Sequence, residues 1–261
     1  MVVFGLFFVF PFIWMIATSL KPTDEVFATS TSLVGSRLEF SNYYEAFTAI
    51  PFLRIVLNSA LVAIVGAVIT MAVSLLSAYA FARIPFVGAS ILFGLFIGTM
   101  ALPQEVLIVP LYLALAELGL VNTYAALILP FAFGAFGTFL LRQFILQIPQ
   151  DYEDAASIDG AGRVRVLLNV VLPLVKSPLA VLGVFTFIEY WASFLWPLVI
   201  VNDTSMATIP IGIQMFSGER GTDWGPMMAA ITLVVIPSLL VVVLLQRQLR
   251  EGAAIGGMGG R

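Results

Sequence analysis

The chain has 261 residues, of which 61% are hydrophobic and 10% charged, with a formal net charge of −3. So few charges cannot cover a water-facing surface, because soluble domains carry about 25% charged residues, and the solvent that suits this composition is lipid. The acidic balance excludes a nucleic-acid partner, which needs clustered Lys and Arg. The absence of Cys and His excludes thiolate and imidazole metal sites, Cys nucleophiles and Ser-His-Asp triads together.

A membrane-crossing helix needs about 20 mostly apolar residues, and charges mark where one stops. Residues 1–20 hold none. They lack the basic n-region and small-residue cleavage site of a signal peptide, so a first span is expected at about 1–20, with a short basic tail expected ahead of it. Residues 21–53 form a long connection containing Asn42, Tyr43 and Tyr44, suited to an interface. Residues 55–82 are uncharged between Arg54 and Arg83 and predict a second span. A third is expected over 86–116, a fourth over 120–141, a fifth over 177–200 and a sixth over 226–246. Residues 142–176 form a polar connection, and 201–225 another, with Gly218, Gly221 and Trp224. The glycine-rich end, Gly256 to Arg261, is too short to fold alone. The expected fold is all-α, an integral membrane protein of six transmembrane helices forming a single domain over 1–261.

Lys and Arg set the orientation. With both termini cytoplasmic, the inside segments hold Arg83, Arg142, Arg163, Arg165, Lys176, Arg247, Arg250 and Arg261, and the outside segments Lys21, Arg37, Arg54 and Arg220. Eight against four favours that arrangement.

Polar residues within apolar stretches need a reason. Glu189 is the one charge in the fifth span, and an acid at the membrane centre costs about 3 kcal/mol. Two readings stand: a contact to a solute along a pathway, or a hydrogen bond to a neighbouring span or partner subunit. Tyr190, Trp191 and Trp196 beside it offer aromatic faces for a sugar, or anchors at the lipid interface. Gln104 and Glu105 follow Pro103 in the third span; they face a cavity if that span is one bent helix, and the surface if it ends there. Pro103, Pro110, Pro130, Pro197 and Pro237 fall in or near spans, as ordinary kinks or, for Pro103–Pro110, as a bend around a pathway.

The polar connection carries a motif. Pro149 can open a helix, and Asp151, Glu153 and Asp154 fall in its first turn, where the helix dipole favours anions. Ala155 and Ala156 are strong helix formers of little bulk, and Asp159-Gly160 signals a turn. A second helix is expected from Arg163 to Val171, ending near Pro173. The expected product is a short helix-turn-helix whose small side chains let another protein approach closely.

This loop resembles the EAA loop of ABC importer permeases, whose pattern is EAA, three residues, Gly, nine residues and I-x-L-P. Here the pattern is Asp154-Ala155-Ala156, then Gly160, then Val170-Val171-Leu172-Pro173. Asp154 stands for Glu and Val170 for Ile. Further stretches resemble the carbohydrate, maltose-type branch: Ser19-Leu20-Lys21-Pro22, Asn42-Tyr43, Asn58-Ser59, Ala78 to Arg83, Ile108 to Tyr112 and Gly119 to Thr123. Where that branch shows Trp-Asn-Glu/Asp-Phe, this chain has Trp191-Ala192-Ser193-Phe194. The resemblance implies a permease working by alternating access in the bacterial inner membrane. It also implies a cytoplasmic coupling loop over 148–173, in which Asp154, Ala155, Ala156, Asp159, Gly160, Ala161 and Pro173 transmit motion from an ATPase. The implied partners are a second homologous permease, two ATPase subunits that hold ATP and magnesium, and an extracytoplasmic sugar-binding protein. Candidates for the substrate path are Glu189, Tyr190, Trp191, Gln104, Glu105 and Asn58.

No ATPase is expected on this chain. A P-loop needs Gly-Lys-Ser/Thr, whereas Lys21 follows Leu20 and Lys176 follows Val175. Two alternatives remain at this level. An ion-gradient-driven secondary transporter of a small polar solute would use Glu189 for coupling. An intramembrane enzyme would need clustered catalytic groups, and no span holds paired carboxylates.

Overall fold

The computed structural model describes residues 2–27, 32–218 and 221–258, with side chains over 7–27, 32–218 and 221–246. Arg220, Arg261 and the Gly259-Gly260 pair, named above for orientation and tail, lie outside the described residues. In chain order the helices are α1 (Val2–Ser19), α2 (Ser41–Thr48), α3 (Phe52–Arg83), α4 (Ala89–Gly98), α5 (Ile108–Glu117), α6 (Tyr124–Ile128) and α7 (Ala135–Leu146). There follow α8 (Asp151–Ile158), α9 (Arg163–Val166), α10 (Leu172–Leu174), α11 (Lys176–Ala192), α12 (Leu195–Ile200), α13 (Ile209–Gln214) and α14 (Trp224–Met258). A two-residue hairpin pairs β1 (Ser217–Gly218) with β2 (Gly221–Thr222).

Two of these helices are long and apolar enough to cross a membrane unbroken, Phe52–Arg83 and Trp224–Gln246. Three further candidates are bent pairs: Ala89–Ala101 with Gln104–Glu117 at 98°, Tyr124–Phe131 with Ala135–Leu146 at 48°, and Arg163–Leu174 with Lys176–Ala192 at 81°. The apolar run expected as the third span, bent or ending near Pro103, is therefore broken at Leu102-Pro103. Leu102 takes an extended conformation (φ −85°, ψ 122°), because the ring of the following proline disfavours the helical region. The expected fifth span divides after Ala192, and α12 resumes at Leu195.

The chain folds as two compact units, Met1–Ala60 with Ala192–Leu240, and Leu61–Trp191 with Val241–Arg261. In the first, several of the stretches noted in the sequence are hydrogen-bonding anchors. The Asn42 amide, buried, donates to the Ser19 and Lys21 carbonyls at 2.9 Å each. Ser19 Oγ and Tyr43 Oη lie 2.8 Å apart. A Cβ on Gly225 would fall 2.7 Å from Asn42 Oδ1, so only glycine fits there. Asn58 donates to the Ser205 and Ala207 carbonyls at 2.9 Å, and Ser59 Oγ accepts from the Ile209 amide at 2.7 Å.

In the second unit, glycines bring helices together. A Cβ on Gly66 would fall 2.6 Å from the Tyr190 ring, one on Gly183 2.8 Å from Met71 Sδ, and one on Gly137 would collide with Ser74 Oγ. Helices α3, α7 and α11 thus pack through small residues, the means by which apolar helices associate where lipid removes the hydrophobic drive. The end of α5 explains the Gly119 to Thr123 stretch. Gly119 takes φ +67°, and the Leu120 amide reaches back to the Leu115 carbonyl at 2.9 Å, a Schellman close. Thr123 then caps α6, its Oγ1 accepting from the Ala126 amide at 3.2 Å.

Candidate functional site

The loop from 148 to 173 is built from the second unit alone. Its first helix, α8, carries Asp151, Glu153 and Asp154 in the first turn, where unpaired amides favour negative charge. It ends in a Schellman motif. Gly160 takes φ +81°, its amide donates to the Ser157 carbonyl at 3.0 Å, and the Ala161 amide donates to the Ala156 carbonyl at 2.9 Å. Ala156 and Ala161, bracketing that turn, both pack against the core formed by Leu75, Tyr79, Leu141, Ile145, Val171 and Leu182.

The second helix ends beside Pro173, at Leu174, a few residues beyond the expected Val171. It runs from Arg163 to Leu174, passing through a π-turn at Leu167–Val171 in which the Leu172 amide reaches the Leu167 carbonyl. The wider turn accommodates Pro173, which lacks an N–H and whose ring crowds the preceding turn of a regular α-helix.

The loop residues named from the sequence divide by direction. Asp154, Ala155, Asp159, Gly160 and Pro173 are exposed, while Ala156 and Ala161 are half-buried. Around the exposed set lie Tyr152, Val164 and Ile158, the last 86% exposed. Nothing lies within 4 Å of a Cβ at Gly160, so the turn presents bare backbone. The arrangement is a knuckle of small and apolar residues with acids at its base, held from behind by the core.

What holds it there was not singled out in the sequence. Glu153 is buried, and its Oε1 lies 2.5 Å from Arg83 Nε, with side-chain exposures of 9% and 12%. Tyr79 Oη donates to Glu153 Oε2 at 3.3 Å. Arg83 Nη2 also donates to the Ile145 and Ile148 carbonyls, at 2.9 and 2.7 Å. These carbonyls lie at and just beyond the end of α7, and that of Ile145 also accepts from the Ile148 amide at 3.1 Å. Breaking such a buried pair by removing one partner typically destabilises by about 3–5 kcal/mol. Glu153 reads in the sequence as one of three first-turn acids, and its partner stands 70 positions earlier; only the packing of α3 on α7 selects it.

The path candidates separate likewise. Gln104 Nε2 donates to Glu189 Oε1 at 3.3 Å, joining the break after Pro103 to the last turns of α11; both side chains are exposed, as is Glu105. Tyr190 is buried and donates to the Ile128 carbonyl at 2.8 Å. Trp191 is buried and stacks on Phe187, centroids 5.5 Å apart, and Trp196 in the first unit is also buried. Asn58 belongs to the first unit, where it anchors the 205–207 backbone. Among the described residues, no group of three or more acids converges on a metal position.

The profile of the family described as "Binding-protein-dependent transport system inner membrane component" matches residues 71–253. The sn-glycerol-3-phosphate transport system permease protein UgpE of Agrobacterium fabrum is 38% identical over 97% of this chain and 93% of its own length. The sulfoquinovosyl glycerol transport system permease protein SmoH of the same organism is 32% identical, over 96% and 89%. In structure, the chain is similar to one in a bacterial ABC transporter involved in import of the acidic polysaccharide alginate, with TM-score 0.83 and 22% identity over 94% of this chain and 92% of that one.

Proposed function

The chain belongs to the family of inner-membrane components of binding-protein-dependent transport systems, and from that membership we propose that it forms half of the translocation path of an ATP-driven carbohydrate importer. It is a non-enzymatic permease subunit in the inner membrane. It pairs with a second, homologous permease. Two ATPase subunits dock on the 148–173 loop and hold ATP and magnesium, and an extracytoplasmic binding protein delivers the sugar. The six spans lie at about 1–20, 55–82, 86–116, 120–141, 177–200 and 226–246 of a single permease domain, with both termini in the cytoplasm.

The observation that carries this reading is the knuckle around Gly160. Its exposed apolar and small residues suit insertion into a cleft of another protein, and its rear face is tied to the spans. Motion imposed on the knuckle therefore reaches the membrane. The substrate class follows from the relatives, whose names specify a glycerol phosphate and a sulfoquinovosyl glycerol. Within the path, Glu189 and Gln104 are the pair this chain offers to sugar hydroxyls. An uncompensated carboxylate facing acyl chains is costly, so their exposed side belongs to water, cargo or the partner permease.

Purification of this subunit with whatever remains bound, followed by uptake in proteoliposomes, tests the reading. A stoichiometric ATPase and second permease, and uptake that requires ATP and survives collapse of ion gradients, are expected. Uptake that collapses with the proton gradient at constant ATP would restore the secondary-transporter alternative. Gly160→Trp is expected to leave ATP hydrolysis in place and abolish uptake, because the bulky side chain strains the left-handed turn and blocks docking.

A further inference from the structure

We infer that the Arg83–Glu153 pair, closed by Tyr79, is a clamp that makes α8 move as one body with the C-terminal ends of α3 and α7, and so positions the coupling loop for transmission. The inference rests on the coupling function proposed for the 148–173 loop.

Helix α8 has eight residues, about 12 Å of length. Its grip on the rest of the unit is narrow: Glu153 is buried, Ala156 is half-buried, and the other six are exposed. Apolar contact at Ala156 is non-directional and permits sliding. The contact at Glu153 is directional. One planar guanidinium binds its carboxylate and two backbone carbonyls. A planar, rigid donor fork cannot turn to follow one acceptor without giving up the others.

The position of Arg83 gives the fork its reach. It is the last residue of α3, and Tyr79 lies one turn earlier on the same face. Three helices therefore meet in one ionic group: α3 supplies the cation, α7 and its extension two carbonyls, α8 the carboxylate. A displacement of α8 greater than hydrogen-bond tolerance must either break the group or carry α3 and α7 with it. Arg142 supplies a natural reference. Its Nε donates to the Phe81 carbonyl at 3.1 Å, and its guanidinium lies 4.3 Å from the Phe93 ring centroid. It ties α7 to α3 and α4 without a hydrogen bond to α8.

The test uses the whole transporter in lipid, with two readouts: sugar imported per ATP hydrolysed, and the width of the distance distribution between spin labels at Ile158→Cys and Leu146→Cys. The chain has no other cysteine. Glu153→Gln and Arg83→Gln are expected to lower the transport ratio about tenfold, within the range of two-site coupling factors, and to broaden the distribution. Arg142→Gln is expected to lower thermal stability while leaving both readouts unchanged. Where Arg83→Gln fails to assemble, Glu153→Gln and Tyr79→Phe, which keep side-chain shape, carry the test. Retained transport ratios in the Glu153 and Arg83 variants, with Gly160→Trp still uncoupled, overturn the clamp and leave the coupling loop standing. Retained ratios in all three overturn the coupling function itself. A lowered ratio with an unbroadened distribution overturns rigid-body motion as the cause.

Discussion

Gly160 sits at φ +81° with open space where a Cβ would go, whereas Gly137 sits within α7 with no such space. Substitution by Ala therefore fails for different reasons. At Gly160 the cost is the left-handed backbone, about 1–2 kcal/mol, and Asn, which tolerates that region, is expected to lose less than Ala. At Gly137 the added methyl meets Ser74 and Leu182, with overpacking costs of about 1–3 kcal/mol. Thermal unfolding in detergent, with Gly160→Asn as the discriminating variant, checks both: it should recover stability relative to Gly160→Ala, while Gly137→Asn should be worse than Gly137→Ala. Asp203 gives a pH signature at the same scale. The Ser205 backbone amide donates to its carboxylate at 2.8 Å, and that bond, followed by the Ser205 side chain, holds its pKa below the ordinary value of 3.8. A lowered folded-state pKa stabilises the turn above the ordinary value and loses that stabilisation as pH falls through the folded one. Protection of the Ser205 amide, corrected for intrinsic exchange, should therefore be flat at neutral pH and fall only below 3.8; Asp203→Asn should weaken it at neutral pH.

The helices differ in how far composition alone revealed them. Helix α3 was legible because charge brackets an unbroken apolar run, Arg54 at one end and Arg83 at the other. The loop motif was legible because its spacing is local: acid, alanines, glycine and proline fall within one supersecondary unit. The break at Leu102-Pro103 was legible only as two options, since a proline does not state whether a neighbour satisfies the carbonyls it frees. Gln104 pairing with Glu189 depends on packing that no local pattern encodes, and so does Glu153. Hydrogen-bond chemistry predicts the consequence of altering that contact. Glu189→Gln still accepts from Gln104 and is expected to hold uptake within about fivefold, the scale of exchanging a charged for a neutral hydrogen bond. Glu189→Lys cannot accept at all and should abolish it; equal rates for the two variants in a proteoliposome assay would remove Glu189 from the path.

At the scale of the whole molecule, positive charge lies outside the apolar stretches, and the charges inside them are the carboxylates Glu105 and Glu189. None of the six expected spans contains Lys or Arg, so on the proposed reading this subunit would offer its path acceptors and no cation. The contrast is measurable: with the native binding protein, Glu105→Gln and Glu189→Gln together should favour an anionic sugar over a neutral one, relative to the unaltered transporter. The π-turn at Leu167–Val171 gives a different kind of constraint. Because each residue of an α-helix advances its azimuth by about 100°, the α-helical residues of Arg163–Leu174 outside that π-turn behave as a ruler whose divisions are angles. Changing the letters inside it alters packing, but removing one division would point everything after Pro173 in a new compass direction, which is why length here should tolerate error less well than sequence does.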